Sequence, residues 1–297
     1  MSRWWTYQQE RFPLAAHGPL IAAFSFCAVS YSRMLRGEPG LAPWPSLAVA
    51  FVTCVLFFLQ LRIADEFKDI EEDTRFRPYR PVPRGLVKLR ELGWLFVFGA
   101  AVQLAAALWL APRMAILLLV PWVYLAAMSK EFFAREWLKA RPITYLWTHM
   151  LIMPLVDFYA TGCDWLALGG SAPGGLGWFL AASFFNGIVI ELGRKLRAPA
   201  DEETGVPTYT ALWGAKLAPL VWLAVVCVTA VCACQAAARI GFALPVAAIL
   251  GALTLVAAWQ VFAFRRAPQN GKRFELLAGL WTLALYLSLG ALPLFSR

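Results

Sequence analysis

The chain has 297 residues, of which 60% are hydrophobic and 15% are charged, and its formal net charge at pH 7 is +9. An average soluble domain is about 25% charged, so this composition excludes an ordinary soluble domain and predicts a polytopic membrane protein. The basic excess is typical of contact with anionic lipid or phosphate at the bilayer surface, and it makes nucleic acid a poor candidate partner.

Nine apolar stretches approach the roughly 20 residues that a transmembrane helix needs. They cover approximately 13–34, 43–63, 92–111, 114–129, 143–162, 175–193, 215–237, 241–264 and 275–295. We therefore expect an all-α membrane protein with about nine transmembrane helices, built as a single domain over 1–297.

The distribution of Lys and Arg predicts the orientation. Most of these residues lie in the amino-terminal arm and in the loops after the second, fourth, sixth and eighth helices. The opposite loops contain only Arg33, Arg36, Arg113, Arg239 and Arg297. Because basic loops stay in the cytoplasm, we expect the amino terminus inside and the carboxy terminus outside, with the protein in a plasma membrane such as the bacterial inner membrane.

The loop after the second helix carries an acidic repeat. Asp65, Asp69 and Asp73 recur every four residues, so a helix continuing through them would stack the carboxylates on one face, about 6 Å apart. Mg²⁺ prefers hard oxygen ligands and is commonly held by carboxylates together with substrate phosphates. This pattern favours a Mg²⁺ site for a diphosphate with an apolar tail, although a solvated loop of paired charges is the simpler alternative.

This pattern resembles a known family. The residues Asp65-x-x-x-Asp69-x-x-x-Asp73, followed by Arg80-Pro81-Val82-Pro83-Arg84-Gly85, are similar to the first signature of the UbiA family of intramembrane prenyltransferases, with Asp65 where Asn is usual. The resemblance implies nine transmembrane helices and an active site facing the cytoplasm. It also implies that the three aspartates are catalytic and bind Mg²⁺, and that Arg80 contacts the substrate.

The resemblance extends along the chain and implies a reaction. The segment 124–130 is similar to the ending of the family's fourth helix, which places Lys130 at a position that binds diphosphate. In this family a polyprenyl diphosphate ionises, pyrophosphate leaves, and an aromatic or other small acceptor captures the prenyl cation. We therefore expect a Mg²⁺-dependent prenyltransferase.

Polar residues within the fifth helix are further candidates. Tyr145, His149 and Asp157 share one face by spacing, and His149 is a candidate for orienting an acceptor or taking its proton. Asn186, in the sixth helix, is a candidate for contact with metal or substrate, with an interhelical hydrogen bond as the alternative. Local ion pairs at a helix end are expected for three other charged residues, Glu131, Arg135 and Glu136.

The second signature matches the family only in part. The segment 205–209 resembles the family's ending, but of the aspartates expected upstream at intervals of four only Asp201 is present. Glu191 is a candidate to replace a missing acid. Three cations, Arg194, Lys195 and Arg197, stand where a second metal site is usual. They either clamp the donor diphosphate in place of one Mg²⁺, or bind a phosphorylated acceptor, or simply follow the positive-inside rule.

Three other functions stay open at this point. A polyprenyl-phosphate phosphoribosyltransferase would explain the cations of the second signature. A terpene cyclase on the same scaffold would need only the first cluster to ionise its substrate. A non-enzymatic lipid-binding or transport protein would place polar groups through the bilayer midplane, whereas the ionisable residues here gather at one membrane face.

Overall fold

The computed structural model describes residues 2–296, and within them the fold is all-helical, as expected. The α-helices are α1 (Arg3–Arg11), α2 (Leu14–Leu35), α3 (Trp44–Lys68), α4 (Ile70–Phe76), α5 (Leu89–Leu110), α6 (Pro112–Ser129), α7 (Arg135–Lys139), α8 (Pro142–Met150), α9 (Ile152–Trp165), α10 (Leu176–Arg194), α11 (Tyr209–Arg239), α12 (Ala243–Arg266), α13 (Lys272–Tyr286) and α14 (Leu292–Phe295). Short 3₁₀ turns cover Glu131–Phe133 and Pro199–Asp201, and a π-helical turn covers Leu287–Ala291.

Proline and glycine mark several helix boundaries. Pro45, Pro112 and Pro142 lie in the first turns of α3, α6 and α8, where the missing N–H would have no intrahelical partner. Gly175 precedes α10 with φ of 90°, a left-handed conformation that glycine adopts without steric cost. These residues separate apolar runs that would otherwise merge.

Eight segments between residues 2 and 296 are long and apolar enough to cross a membrane, the last being Lys272–Phe295. The fifth predicted stretch, 143–162, is helical but broken at Leu151 into α8 and α9, neither of which is long enough alone. The fifth predicted stretch is therefore helical, as expected, but it is divided into two shorter helices. Large apolar side chains on the outside of the bundle, such as Trp94, Phe98 and Ile116, remain exposed, as lipid contact requires.

The long helices close into a bundle. In chain order α2, α3, α5, α6, α9, α10, α11, α12 and α13 each pack against the next, and α13 packs against α2. α9 also contacts α2 and α3. The interior holds wholly buried aromatic side chains, among them Trp222, Trp281 and Tyr159.

The basic loops meet at one end of this bundle. Arg84 donates to Glu10 of α1 at 2.8 Å, and Lys139 of α7 donates to Glu72 of α4 at 2.6 Å. These contacts join the amino-terminal arm to the loop after the second predicted span, and that loop to the one after the fourth. The segments that the charge pattern assigns to one membrane side therefore lie together.

The opposite end has its own polar contact. Arg36, after α2, donates two hydrogen bonds of 2.9 Å to Asp164 near the end of α9. Ser32 donates a third to the same carboxylate at 2.8 Å. A buried acid is thereby satisfied by a cation from a neighbouring helix, as a charge at the edge of a bilayer requires.

Candidate active site

Three helix ends converge at the basic end of the bundle, those of α3, α6 and α10. Lys68 ends α3, and its Nζ lies 3.7 Å from the Glu131 carboxylate, just after α6. Arg194 ends α10 and lies close enough to Asp65 for their opposite charges to attract. Helix carboxyl ends carry partial negative charge, so the basic residues found there complement the helix dipoles.

The aspartate ladder, which we define as Asp65, Asp69 and Asp73, keeps its predicted spacing but not a continuous helix. α3 ends at Lys68, and Asp69 adopts φ of −99° and ψ of 7° before α4 begins. Backbone hydrogen bonds of 2.9 Å from Asp69 to Asp65 and 2.8 Å from Asp73 to Asp69 preserve the four-residue repeat. The predicted unbroken helix is wrong, because the acidic first turn of α4 starts a new helix at Ile70.

Asp73 is the buried member of the ladder. Its residue is 1% exposed, and Arg80 donates to its Oδ2 at 2.6 Å. Arg77 Nε lies 3.0 Å from Oδ1, an ion-pair distance without hydrogen-bond geometry. Arg80, expected to contact substrate, is thus held by Asp73, and the Asp73 carboxylate is directed to two guanidinium groups.

Asp65 and Asp69 are more open. Asp65 lies 3.4 Å from Lys68 Nζ and 3.6 Å from Arg62. The half-buried Asp69 carboxylate makes no hydrogen bond or ion pair with any residue from 2 to 296. Burial raises the pKa of the Asp69 carboxyl above its ordinary value; Lys68 opposes this change, and the neighbouring carboxylates, Asp65 foremost, add to it.

Within the described residues, no three His, Cys, Asp or Glu side chains are arranged to hold a metal ion. The ladder does not form a three-carboxylate site, since Asp73 is paired with arginines. Asp65 and Asp69 nevertheless offer hard oxygen donors one helical turn apart, and Asp69 forms no ion pair with any residue from 2 to 296. This donor set suits Mg²⁺, which commonly takes one or two protein carboxylates together with substrate phosphates.

The second cluster forms internal ion pairs. Arg194 lies 2.6 Å and Lys195 2.7 Å from the two oxygens of Glu191, whose side chain is 13% exposed. Arg197 lies 2.7 Å from Glu203. The predicted cations are therefore brought together, but each of them already has an acidic partner.

The side chain of Asp201, the one aspartate that matches the second signature, is exposed. Its backbone carbonyl accepts from Arg197 at 3.3 Å. Asp201 also lines a cavity of about 410 Å³ beside α10, together with Glu202, Lys272 and Glu275. Acids and cations alternate around this cavity.

A close backbone contact joins the two signatures. Gly205 has φ of +77°, and a Cβ at this position would lie 2.5 Å from the Phe76 ring at the end of α4. The Tyr209 backbone N–H donates to the Lys195 carbonyl at 3.1 Å. The loop of the second signature is thus folded onto α4, the helix that contains Asp73 of the ladder, and glycine alone permits this contact.

The remaining candidates lie in three different surroundings: the surface, the neighbourhood of the ladder, and the core. Lys130 caps α6 and is exposed, with no ion pair among residues 2–296. Tyr145 and His149 stack at 3.9 Å, and the Tyr145 hydroxyl accepts from Lys68 at 3.0 Å, so both lie beside the ladder. Asn186 is fully buried and accepts from Thr282 at 3.1 Å, which is the interhelical bond given as its alternative.

The expectation of purely local ion pairs near Glu131 is wrong. Its partners come from other helices, since Tyr145 donates to its Oε1 at 3.1 Å and Lys68 lies 3.7 Å away. Arg135 likewise lies 3.9 Å from Glu72 of α4. Asp157, which shares a helix face with Tyr145 by spacing, instead accepts from Tyr286 at 2.7 Å in the core.

Sequence reasoning overlooked two basic residues of the site, Lys68 and Arg77. Lys68 lies between two members of the ladder and connects them to Glu131 and Tyr145. Arg77 follows Asp73 by one helical turn, a spacing that predicts an ion pair. Arg77 continues the four-residue series of the acids, whereas Lys68 follows Asp65 by three residues, a spacing that also predicts an ion pair on a helix.

A bundle of apolar helices that gathers carboxylates and cations at one end is typical of a membrane-embedded enzyme. The chain belongs to the UbiA prenyltransferase family, whose model matches residues 23–293. This confirms the expected family and enzyme class. No curated protein matches the sequence significantly.

Solved structures share the fold over nearly the whole chain. A UbiA homolog from Aeropyrum pernix K1 is 17% identical with a TM-score of 0.66, covering 92% of this chain and 95% of its own. A structure of digeranylgeranylglyceryl phosphate synthase is 13% identical with a TM-score of 0.65, covering 99% and 100%. A UbiA homolog from Archaeoglobus fulgidus bound to GPP and Mg²⁺ is 12% identical with a TM-score of 0.57, covering 95% and 99%.

Proposed function

We propose that this chain transfers a prenyl group from a polyprenyl diphosphate to an aromatic or other small acceptor and releases pyrophosphate. The observation that carries the proposal is the convergence of Asp65 and Asp69 with Lys68 and Arg194 at one end of an apolar bundle. Such an arrangement suits a substrate whose charged head lies at the membrane surface and whose tail lies among the helices. The structure of a UbiA homolog with GPP and Mg²⁺ supports the same substrate class.

Asp65 and Asp69 would hold Mg²⁺, and Asp73 would keep Arg77 and Arg80 in place. Bound Mg²⁺ supplies charge neutralisation to a leaving diphosphate. Lys130, which is exposed and has no ion pair among the described residues, would add a further positive charge for the same anion. Arg194 and Lys195 would assist by exchanging Glu191 for phosphate oxygens.

The interior that would surround the prenyl chain is rich in packed aromatic side chains. Phe24 lies 5.4 Å from Phe58 and 4.9 Å from Tyr286, measured between ring centroids. Phe179 lies 5.9 Å from Tyr286 and 4.6 Å from Tyr31. Aromatic faces attract cations, and an interior without water protects a carbocation from hydrolysis.

We further propose that the whole chain acts as one domain and that its site faces the cytoplasm of a bacterial inner membrane. The basic segments on one end of the bundle support this orientation, because Lys and Arg are retained on the cytoplasmic side. The substrates would be a polyprenyl diphosphate from the bilayer and a small acceptor from the cytoplasm or the membrane surface.

The phosphoribosyltransferase alternative has less support. It requires further cations for a second phosphorylated substrate. With Arg194 and Lys195 assisting at the donor diphosphate, Arg197 is left for that role, and it pairs with Glu203. The adjacent cavity also contains acidic side chains that would repel phosphate.

The test is Mg²⁺-dependent release of pyrophosphate by the purified protein from a panel of prenyl diphosphates, with and without aromatic acceptors. Asp69→Asn should lower the rate at least a hundredfold, because it removes a metal-binding charge while preserving shape. Glu71→Gln, an exposed acid two residues along the chain, is the matched control and should retain wild-type rate.

The outcomes separate the candidates. Release that depends on both Asp69 and an acceptor supports prenyl transfer. Release without an acceptor, accompanied by a cyclic product, would assign a terpene cyclase instead. No release from any donor would refute the proposed function.

A further inference from the structure

A buried pair of polar side chains, Glu131 and His149, lies at an unusual turn after α6. Glu131, Phe132 and Phe133 have φ values of 51°, 50° and 58°, a left-handed conformation that residues with side chains rarely adopt. This turn holds Glu131 only 4% exposed, facing α8. Strain of this kind is retained where the surrounding structure requires a side chain in one place.

Two buried atoms in this group face each other without a hydrogen-bond partner among the described residues. They are Glu131 Oε2 and His149 Nε2, which lie 3.5 Å apart. His149 is 7% exposed, and its other nitrogen, Nδ1, lies 2.8 Å from the Tyr145 carbonyl oxygen. Since a carbonyl only accepts, Nδ1 carries the proton of the neutral ring, and Nε2 presents a lone pair.

When the imidazole ring is neutral, the two facing atoms are both acceptors. A carboxylate oxygen and an unprotonated imidazole nitrogen do not bond to each other, and leaving them unpaired in a buried place is costly. A hydroxyl placed between the two atoms would supply one hydrogen, which both would share in a three-centre hydrogen bond. A carboxylate would be repelled by Glu131 at this point.

The surroundings suit a flat ring. His149 stacks on Tyr145 at 3.9 Å, and the Phe132 ring lies edge-on to His149 at 5.8 Å. Tyr124 lies edge-on to Phe132 at 5.4 Å. Aromatic rings pack favourably in stacked and edge-on arrangements, so an aromatic ligand that reached Glu131 and His149 would have aromatic side chains to pack against.

One side chain links Glu131 and His149 to the part of the site where the prenyl diphosphate would bind. Lys68 donates to the Tyr145 hydroxyl at 3.0 Å and lies 3.4 Å from Asp65. An acceptor held at Glu131 and His149 would therefore lie beside the diphosphate held near Asp65.

We propose that Glu131 Oε2 and His149 Nε2 bind the hydroxyl group of an aromatic acceptor and that His149 Nε2 receives the acceptor's proton. This inference rests on the proposed prenyl transfer. In that reaction the bond between the prenyl carbon and the diphosphate oxygen breaks, and its electron pair leaves with pyrophosphate. The acceptor forms a new bond to the prenyl carbon, and the proton that it loses passes to His149.

The first test measures binding without any donor, so that it is independent of turnover. The fluorescent probe 1-methoxynaphthalene carries a methyl group in place of the hydroxyl hydrogen of 1-naphthol. Comparing the ratio of their dissociation constants between variants in the same detergent cancels the difference in their partition into detergent. For the wild-type protein we expect 1-naphthol to bind at least tenfold more tightly. In Glu131→Gln and His149→Phe the preference should fall at least fivefold.

Glu136→Gln is the matched control, because Glu136 is an exposed acid on the same segment, and it should keep the wild-type ratio. An unchanged ratio in both Glu131→Gln and His149→Phe, or equal binding of the two probes by the wild type, would overturn the inference. His149→Phe preserves the ring that stacks on Tyr145, so it serves if Glu131→Gln fails to fold. Absence of pyrophosphate release would refute the proposed function, whereas the binding ratio tests this site separately.

Discussion

Asp73→Asn tests how the buried carboxylate of the ladder contributes to stability. Asn preserves the size of the side chain but removes the charge that lies 2.6 Å from Arg80 and 3.0 Å from Arg77. Two guanidinium groups then lose their anion at once. The substitution therefore leaves uncompensated positive charge between α4 and the loop that follows it.

The magnitude follows from burial. The Asp73 side chain is 1% exposed, and those of Arg77 and Arg80 are 13% and 20% exposed. Removing one partner of a buried ion pair costs about 3–5 kcal/mol, and the partial exposure of the arginines favours the lower end. A loss of about 3 kcal/mol changes the unfolding equilibrium constant more than a hundredfold.

The assay is equilibrium unfolding of the purified protein in mixed micelles, monitored by circular dichroism. Glu72→Gln is the control, because Glu72 pairs with Lys139 at 2.6 Å but its side chain is 37% exposed. An exposed pair contributes about 0–1 kcal/mol. Equal losses in the two variants, or a loss below about 1 kcal/mol in Asp73→Asn, would refute the argument from burial.

Three further outcomes are expected. In the absence of Mg²⁺, burial raises the pKa of the Asp69 carboxyl group. The folded state therefore keeps this proton to a higher pH than the unfolded chain does, and the free energy of unfolding decreases as the pH rises above about 4. The free energy of unfolding of wild type should thus fall relative to Asp69→Asn as pH rises; a difference that stays constant with pH would contradict this. Gly205→Ala should raise the donor KM several-fold, because its Cβ would lie 2.5 Å from the Phe76 ring, and unchanged kinetics would show that the contact relaxes. Arg197→Glu, which places a carboxylate against Glu203, should raise the donor KM if Arg197 helps bind diphosphate; a change confined to the acceptor KM would contradict that role.

Much of the fold was predictable, because a helix that crosses a bilayer is recognisable in the sequence as a long apolar run. The break at Leu151 was not, since 143–162 reads as one apolar run and its division depends on packing against neighbouring helices. The end of α3 at Lys68 was likewise hidden, because the four-residue acidic repeat continues through the break with its backbone hydrogen bonds intact.

The site was predictable where its residues follow one another in the chain. Periodicity identified Asp65 and Asp69, but it could not show that Asp73 faces two arginines, because that depends on the fold of the segment after α4. Glu131 was missed as a site residue for a related reason. Its partners Lys68 and Tyr145 lie on other helices, and the left-handed turn that directs it inward has no glycine to signal it.

The pairing of Asp73 with Arg77 and Arg80 also affects how a product would leave. These guanidinium groups already have an anion before any substrate arrives. A phosphate that reached them would replace one ion pair with another. The net free energy of binding would then be the difference between the similar free energies of these two ion pairs. Asp73 would then recapture the arginines as pyrophosphate departs, which limits the affinity for product and keeps the site available for the next turnover.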